Sequence, residues 1–494
     1  MLFNSVDFLL FFPIVLVLYF LTPGSYRWAL LLGASYYFYM CWEPIYALFL
    51  ITSTLIDYYC GLQMGKSKIL KERRYYLLLS LFSNLGLLFG FKYLDFFNAS
   101  IKSLLHPFNI FYDVPALNIV APLGISYYTF KKLSYIIDIY RENQEPERHV
   151  GKFALYVSFF PEVTAGPIDR SKVLLPQFNS VYTFDYTRVT GGLKLMVWGM
   201  FKKVVIADRL GVFVNLVYDH PHDYQGLTLV VATFFFSIQI YADFSGYTDM
   251  AIGMAQVMGY NLMDNFNRPY FAISITEFWR RWHISLTTWL RDYLFLPIAY
   301  AVSRRIKRER LMKIKAESWA YAVSILITML LCGLWHGSNW TYIIWGGLHG
   351  LYLLLSFATR KTRKKWRKKI IGPRPNMKPF YKGVRILFTF CCVSLIWIFF
   401  RANSLSDAFY IISHLLSGFE TPPAIFQDMK LEFFIALISV GFMFLVHLFQ
   451  PHKGIRKLFS EKPLLFRWIL YLLLVLSIMN LGEFNEIPFI YVQF

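Results

Sequence analysis

The chain has 494 residues, 56% of them hydrophobic and 19% aromatic, with a mean hydropathy of +0.44. A soluble domain is roughly 45 to 50% apolar even with glycine counted, so the excess needs a lipid environment and excludes an ordinary soluble enzyme or binding module. The formal charge of +20 does not point to nucleic acid, because Lys and Arg cluster between apolar runs at residues 66–74, 304–315, 360–374 and 453–462, the pattern of cytoplasmic loops under the positive-inside rule.

In chain order, apolar runs of spanning length predict helices at Phe8–Leu21, Trp28–Trp42, Tyr46–Gly61, Tyr75–Phe97, Leu117–Asp138 and Leu193–Phe213. Further runs lie at Leu227–Ala242, Ser318–Trp335, Trp340–Phe357, Val384–Phe400, Phe433–Phe449 and Phe466–Leu481. The expectation is an all-α polytopic bundle of about twelve spans around a central cavity, one membrane domain over residues 1–494. With the basic clusters in the cytoplasm, both termini come out exoplasmic. The first run has Asp7 before its first cation, Arg27, so it lacks the basic region of a secretory signal and is expected to stay as a helix. Cys41, Cys60, Cys332, Cys391 and Cys392 show no metal-ligand spacing, and neither a disulfide framework nor a metal site is expected.

The segments that fit a plain span poorly carry the functional signal. Asp138 and Arg141, three residues apart, are expected to pair locally at a helix end. Phe153–Arg170 is apolar but holds Pro161, Glu162, Gly166, Pro167 and Asp169. Broken backbone at membrane depth needs protein or a water-filled cavity around it, so this segment is read as re-entrant from the cytoplasmic side. Asp243 and Asp249 lie where lipid forbids free acids, and are expected to pair with Arg280, Arg281 or Arg170 in a structural role. Glu277–Pro297 holds Glu277, Arg280, Arg281, Arg291 and Asp292. At helical spacing Trp279, His283, Leu286, Leu290 and Tyr293 share one face and Arg280 and Arg291 another, which predicts an amphipathic interfacial helix. Arg280 and Arg291 suit the phosphates of a coenzyme A thioester, while topology and anionic lipid headgroups account for them equally well.

Between Glu317 and Arg360 there is no charged residue, yet the run contains Trp335-His336-Gly337-Ser338-Asn339-Trp340 and then His349-Gly350. A polar cluster inside so apolar a hairpin is a functional-site signal. Burial keeps an imidazole neutral and able to take a proton from an attacking hydroxyl, and Gly337 permits close approach. A histidine bonded across two helices to steady the bundle has the same signature, and a packing role is the simpler account of His283 and of His349 among Gly346, Gly347 and Gly350.

At these residues the sequence resembles the membrane-bound O-acyltransferase family, in its bacterial branch containing the alginate O-acetylation membrane subunit. The resemblance runs in order through Pro122–Phe130 (Pro-Leu-Gly-Ile-Ser-Tyr-Tyr-Thr-Phe), Ser134–Arg141, Ala165–Arg170, Asp243–Asp249, Glu277–His283, Trp289–Tyr293, Gly333–Gly337, Leu348–Gly350 and Trp397–Ala402. The motif-bearing core is thus about residues 117–402, with flanking helices at 1–116 and 403–494. Lys131-Lys132 departs from the pattern, where the family often has Gln or His first.

The resemblance implies that His336 of Trp-His-Gly is catalytic and that His283 is also tied to activity; Trp335, Gly337, Asp243, Asp249, Arg170 and Glu277 of its motifs, and Asn339 of the polar cluster, are expected as supporting residues. It implies transfer of an acyl group, acetyl in the first place, from a cytoplasmic thioester such as acetyl-CoA to a hydroxyl of an exoplasmic polysaccharide or partner protein, in a bacterial cytoplasmic membrane and without a tightly bound cofactor. Two alternatives stand beside it. One is D-alanyl transfer from a carrier protein toward teichoic acid; the other is a polysaccharide or lipid transporter, which would be expected to show internal repeats that this sequence lacks.

Overall fold

A backbone in hydrocarbon must satisfy its hydrogen bonds internally, so long charge-poor apolar runs fold as helices. The computed structural model describes residues 1–112, 114–115, 120–306, 310–311, 314–371, 377–418, 429–449, 463–484 and 489–490. Among the described residues, eight helices are long and apolar enough to cross a membrane. They are Ile45–Lys66, Leu70–Phe108, Leu227–Met258, Ala316–His336, Trp340–Ala358, Lys378–Arg401, Lys430–Phe449 and Leu464–Leu481.

The other expected spans are also helical, but shorter or interrupted. Val6–Leu21 and Arg27–Met40 have 16 and 14 residues. Ile125–Tyr140 takes up the later part of the fifth expected span, whose residues 117–119 lie outside the described set. Tyr186–Asp219 is one helical run broken only by a π-helical stretch, Phe201–Ala207, that holds Lys202 and Lys203. Leu227–Met258 is longer than expected and absorbs the whole Asp243–Asp249 motif. It is the most buried of the eight long spans, packed between Tyr186–Asp219 and Lys378–Arg401.

Ala316–His336 and Trp340–Ala358 form a hairpin whose close approach is built into two glycines. A Cβ on Gly346 would meet the Met329 carbonyl and the Gly333 backbone, and a Cβ on Gly333 would meet the Tyr342 carbonyl. Small residues at a helix crossing let backbones approach and gain dispersion contacts where lipid supplies no hydrophobic drive.

The 153–170 segment behaves as its composition demands. The helix Val150–Ser158 ends at the Pro161 region, and residues 159–169 run irregularly, every one of them buried. Both of its carboxylates take a hydrogen bond: Lys131 Nζ donates to Glu162 Oε2 at 2.6 Å, and the Asp169 carboxylate accepts the Met263 N–H at 3.2 Å. Gly124, at φ +71°, turns the chain into Ile125–Tyr140 against the Val163 carbonyl, where any Cβ would collide. Lys132 is equally buried, 3.6 Å from Asp57, whose carboxylate also accepts from Asn84 at 2.8 Å and from Ser80. The two lysines that depart from the family pattern therefore pin helices to the irregular segment and to each other.

Two expectations are corrected here. Glu277–Pro297 is not one amphipathic helix: it consists of Ile275–Trp279, a break at residues 280–283, Ile284–Leu290, a π-helical turn Arg291–Phe295 and the start of Leu296–Arg305. The break has a physical cause. The Ile284 N–H donates to the Asn265 carbonyl and the Asn267 N–H to the Arg281 carbonyl, both at 2.9 Å, so pairing with residues 265–267 replaces the helical ladder. The inside and outside faces survive: Trp279, His283, Leu286, Leu290 and Tyr293 are buried, and Arg280 and Arg291 are exposed. The Asp138–Arg141 pair is also replaced, since Asp138 accepts from Tyr293 Oη at 2.8 Å and Arg141 reaches the Asp292 carbonyl at 3.3 Å.

Candidate active site

Ala316–His336 ends on the histidine itself, and the extended Gly337 leads into Trp340–Ala358. Only 2% of His336 is exposed. Its ring sits in an aromatic enclosure, edge-on to Trp335 at 4.9 Å, Trp345 at 5.0 Å and Phe400 at 5.4 Å between centroids. The space beside Gly337 is taken by the Tyr342 ring, which any Cβ would strike, so packing alone accounts for this glycine.

His283 approaches from the break between Ile275–Trp279 and Ile284–Leu290. Its backbone is left-handed, φ 41° and ψ 57°, a conformation that costs a non-glycine residue about 1 to 3 kcal/mol and persists only where surrounding contacts impose it. The consequence is a fully buried ring, 4.7 Å from Phe244 and 6.0 Å from Trp335. Both histidines thus contact one indole, that of Trp335.

The hydrogen bonds define the His283 tautomer. Asn265 Oδ1 accepts from the Ser285 N–H at 3.2 Å and the Ser285 hydroxyl at 2.9 Å, and it lies 3.0 Å from His283 Nδ1. An oxygen so engaged is an acceptor, so Nδ1 carries the proton and Nε2 keeps its lone pair.

The third histidine, His349, is fully buried against Trp345, 4.9 Å from that ring and 5.0 Å from Trp279. It shares Trp345 with His336 and joins that ring to Trp279 and Phe278.

One group that sequence reasoning passed over belongs at this site. Lys92 stands on a π-helical turn, Phe89–Tyr93, inside Leu70–Phe108. Its Nζ donates to the Trp335 carbonyl at 2.7 Å, with the His336 carbonyl at 3.5 Å and Ser126 Oγ at 3.2 Å. A single lysine within the Tyr75–Phe97 run was the available signal, since an ionisable residue at that depth marks a functional or paired position. Asn265 gave no comparable signal, because Asp264-Asn265-Phe266-Asn267 reads as an ordinary polar turn. Lys92 also lines a polar pocket of about 480 Å³ with Asp95, Gly337, Ser338, Asn339 and Tyr342, so an open vestibule adjoins the end of the His336 helix.

The remaining predicted residues fall outside this cluster. Asn339 caps Trp340–Ala358, accepting from the Thr341 N–H at 3.1 Å while lining the vestibule. Glu277 accepts from the Ile273 N–H at 3.0 Å and from Arg281 at 2.5 Å, fixing the turn before His283. Arg170 lies 4.6 Å over the Tyr293 ring and 3.5 Å from Asp292. The pairing expected for the two acids is corrected: Asp243 binds Lys203 at 2.9 Å and Asp249 binds Lys202 at 2.8 Å, both lysines on the π-helical stretch. These pairs tie Leu227–Met258 to Tyr186–Asp219. Arg280 and Arg291 are exposed, with Arg291 Nε 2.8 Å from Asp292. Among the described residues no group of three or more His, Cys, Asp or Glu side chains is placed to hold a metal ion.

A sequence model described as MBOAT, membrane-bound O-acyltransferase family, matches residues 45–396. The chain is 35% identical to a probable alginate O-acetylase AlgI of Pseudomonas putida over the full length of both chains. It is 33% identical to a peptidoglycan O-acetyltransferase of Helicobacter pylori, over 78% of this chain and 72% of that one. A teichoic acid D-alanyltransferase of Streptococcus thermophilus is 30% identical over 58% of this chain and 70% of its own length.

Proposed function

The chain belongs to the membrane-bound O-acyltransferase family, a multi-pass membrane enzyme that transfers acyl groups to oxygen, and from that premise we propose that it passes acetyl from a cytoplasmic thioester to a hydroxyl of an exoplasmic polysaccharide. One observation carries this reading: His336 closes a helix that starts at a basic cytoplasmic-type loop, and a polar vestibule adjoins its far end. Twenty-one residues rise about 30 Å, the thickness of the hydrocarbon core, which supports a position for His336 near the exoplasmic boundary. On the same positive-inside argument both termini face outward across a bacterial cytoplasmic membrane.

In this mechanism the acceptor hydroxyl enters through the vestibule and its oxygen attacks the thioester carbonyl carbon. Neutral His336 takes the hydroxyl proton, the new C–O bond forms, the C–S bond breaks, and the proton passes to the departing thiolate. His283, with Nε2 as its acceptor, lines the donor side, and exposed Arg280 and Arg291 attract the donor's phosphates. Acetyl-CoA is the donor substrate in this reading, and an exoplasmic transferase or the polymer itself receives the group.

Two relatives named for O-acetylation support acetyl over other acyl groups. The relative named for D-alanyl transfer supports a second reading, in which a charged carrier protein is the donor. Purified protein in nanodiscs, given labelled acetyl-CoA or a labelled D-alanyl carrier together with polysaccharide acceptor, separates the two. Label is expected to reach the acceptor from acetyl-CoA, and to fall about 10²- to 10⁴-fold in His336→Ala. Full transfer by that variant would refute the assignment of the base, and transfer from the carrier alone would favour the second reading.

A further inference from the structure

Among the described residues, the hydrogen bonds that join the last described helix, Leu464–Leu481, to the bundle lie at one end. Its carboxyl end is tied: Arg209 donates to the Leu481 carbonyl at 2.6 Å, and the Glu483 N–H donates to the Val204 carbonyl at 2.9 Å. Toward its amino end the helix stands off, and not one of its residues is buried. Between it, Tyr186–Met200 and Lys430–Phe449 lies an apolar groove of about 540 Å³.

The groove has the dimensions and the chemistry of a lipid seat. Its walls run from Tyr186 to Trp198 on one helix and from Leu464 to Val475 on the other, which at about 1.5 Å per residue is roughly one leaflet of hydrocarbon. A void that size between apolar walls forfeits dispersion contacts unless something flexible and apolar fills it.

Two cations and no carboxylate line the groove, Lys194 two turns in from Tyr186 and Arg467 at the amino end of Leu464–Leu481. Lys194 Nζ sits 5.2 Å over the Tyr471 ring, and Arg467 lies one helical turn before Tyr471. Arg467 Nε and Tyr471 Oη are buried and have no hydrogen-bond partner among the described residues. The basic segment Lys453–Lys462 precedes this end in sequence, which under the positive-inside rule places it at the cytoplasmic leaflet, where anionic lipids are met.

We propose that this groove is a binding site for one anionic phospholipid, its phosphate held by Arg467 and Lys194 and one acyl chain running along the groove toward Trp198 and Phe442. The lipid then completes the packing of Leu464–Leu481, whose hydrogen bonds to the rest of the described protein are those at Arg209 and Val204. The site is separate from the His336 vestibule and does not depend on the identity of the acyl group.

The test uses the full chain in nanodiscs of phosphatidylcholine with a fixed minor fraction of phosphatidylglycerol, transferred to mild detergent and weighed by native mass spectrometry. One retained phosphatidylglycerol per chain is expected, favoured over phosphatidylcholine by roughly tenfold or more. Lys194→Gln with Arg467→Gln should abolish the preference, and Leu474→Trp, which fills the groove, should remove retained lipid of either kind. Size-exclusion profiles of both variants check that they fold. Equal retention of the two lipids by the unaltered protein, or an undiminished preference in the charge variant, would overturn the proposal.

Discussion

Lys92 Nζ lies 2.7 Å from the Trp335 carbonyl oxygen, so a lysine donor closes the end of the helix whose final residue is His336. The last carbonyls of a helix lack partners within it and carry the negative end of its dipole, and an N–H donor from Lys92 satisfies one of them. The helix end, and with it the backbone of His336, is therefore held by a residue more than 240 positions earlier.

Replacement of that contact should be felt in catalysis before it is felt in folding. Lys92→Met is expected to lower acyl transfer about tenfold or more, through turnover and not through donor KM, with a stability loss of about 1 to 2 kcal/mol. Lys92→Arg should recover part of the rate. Steady-state kinetics on the three proteins, beside their thermal melts, check this.

The Asn265–His283 contact makes a second prediction. Asn265→Leu removes the acceptor that holds Nδ1 protonated, so His283 loses its fixed tautomer and its orientation. Transfer should fall by roughly 10- to 1,000-fold. Asn265→Asp keeps an acceptor oxygen and should retain more activity than the leucine variant; equal losses in the two would place the effect on folding of the 265–267 turn.

Lys131 and Glu162 are both buried, 1% and 0% exposed at the side chain. Lys131→Met strands a carboxylate inside the bundle and should cost about 3 to 5 kcal/mol, whereas Lys131→Met with Glu162→Leu removes both charges and should recover most of it. Unfolding in detergent, followed by tryptophan fluorescence, distinguishes a pair that matters for charge balance from one that matters for activity.

Gly124 combines a left-handed backbone with contact against the Val163 carbonyl. Gly124→Ala should destabilise the protein by about 1 to 3 kcal/mol and lift the helix Ile125–Tyr140 off the irregular segment. Limited proteolysis of the 159–169 region should then become detectable.

Arg280 and Arg291 test the donor side. If they draw in the phosphates of acetyl-CoA, Arg280→Gln with Arg291→Gln should raise donor KM roughly tenfold, leave turnover near its original value and weaken the salt dependence of KM. An unchanged KM would assign both residues to topology and lipid contact.

Much of the site was legible in the chain because its signals are local. A histidine in the middle of the charge-free stretch between Glu317 and Arg360 is conspicuous wherever it folds, and prolines and acids inside Phe153–Arg170 rule out a plain span. The inside and outside faces of Glu277–Pro297 were legible for the same reason, since apolar and charged positions sort whether or not the helix is continuous. Its break was hidden, because the hydrogen bonds that replace the ladder come from Asn265 and Asn267, in a turn with no signal of its own.

The sequence by itself determined that this is a polytopic helical membrane protein, which segments are irregular, and which polar residues are buried among apolar ones, because transfer from water to lipid is summed residue by residue along a run. Only the tertiary structure decided partners. Asp243 and Asp249 meet Lys203 and Lys202 and not the arginines of the 277–297 segment, Lys92 reaches the end of the His336 helix, and His283 joins His336 on Trp335. Each of these depends on which helices become neighbours and at what rotation, and a hydrophobic stripe leaves that choice to the packing of small residues and the pairing of buried charges.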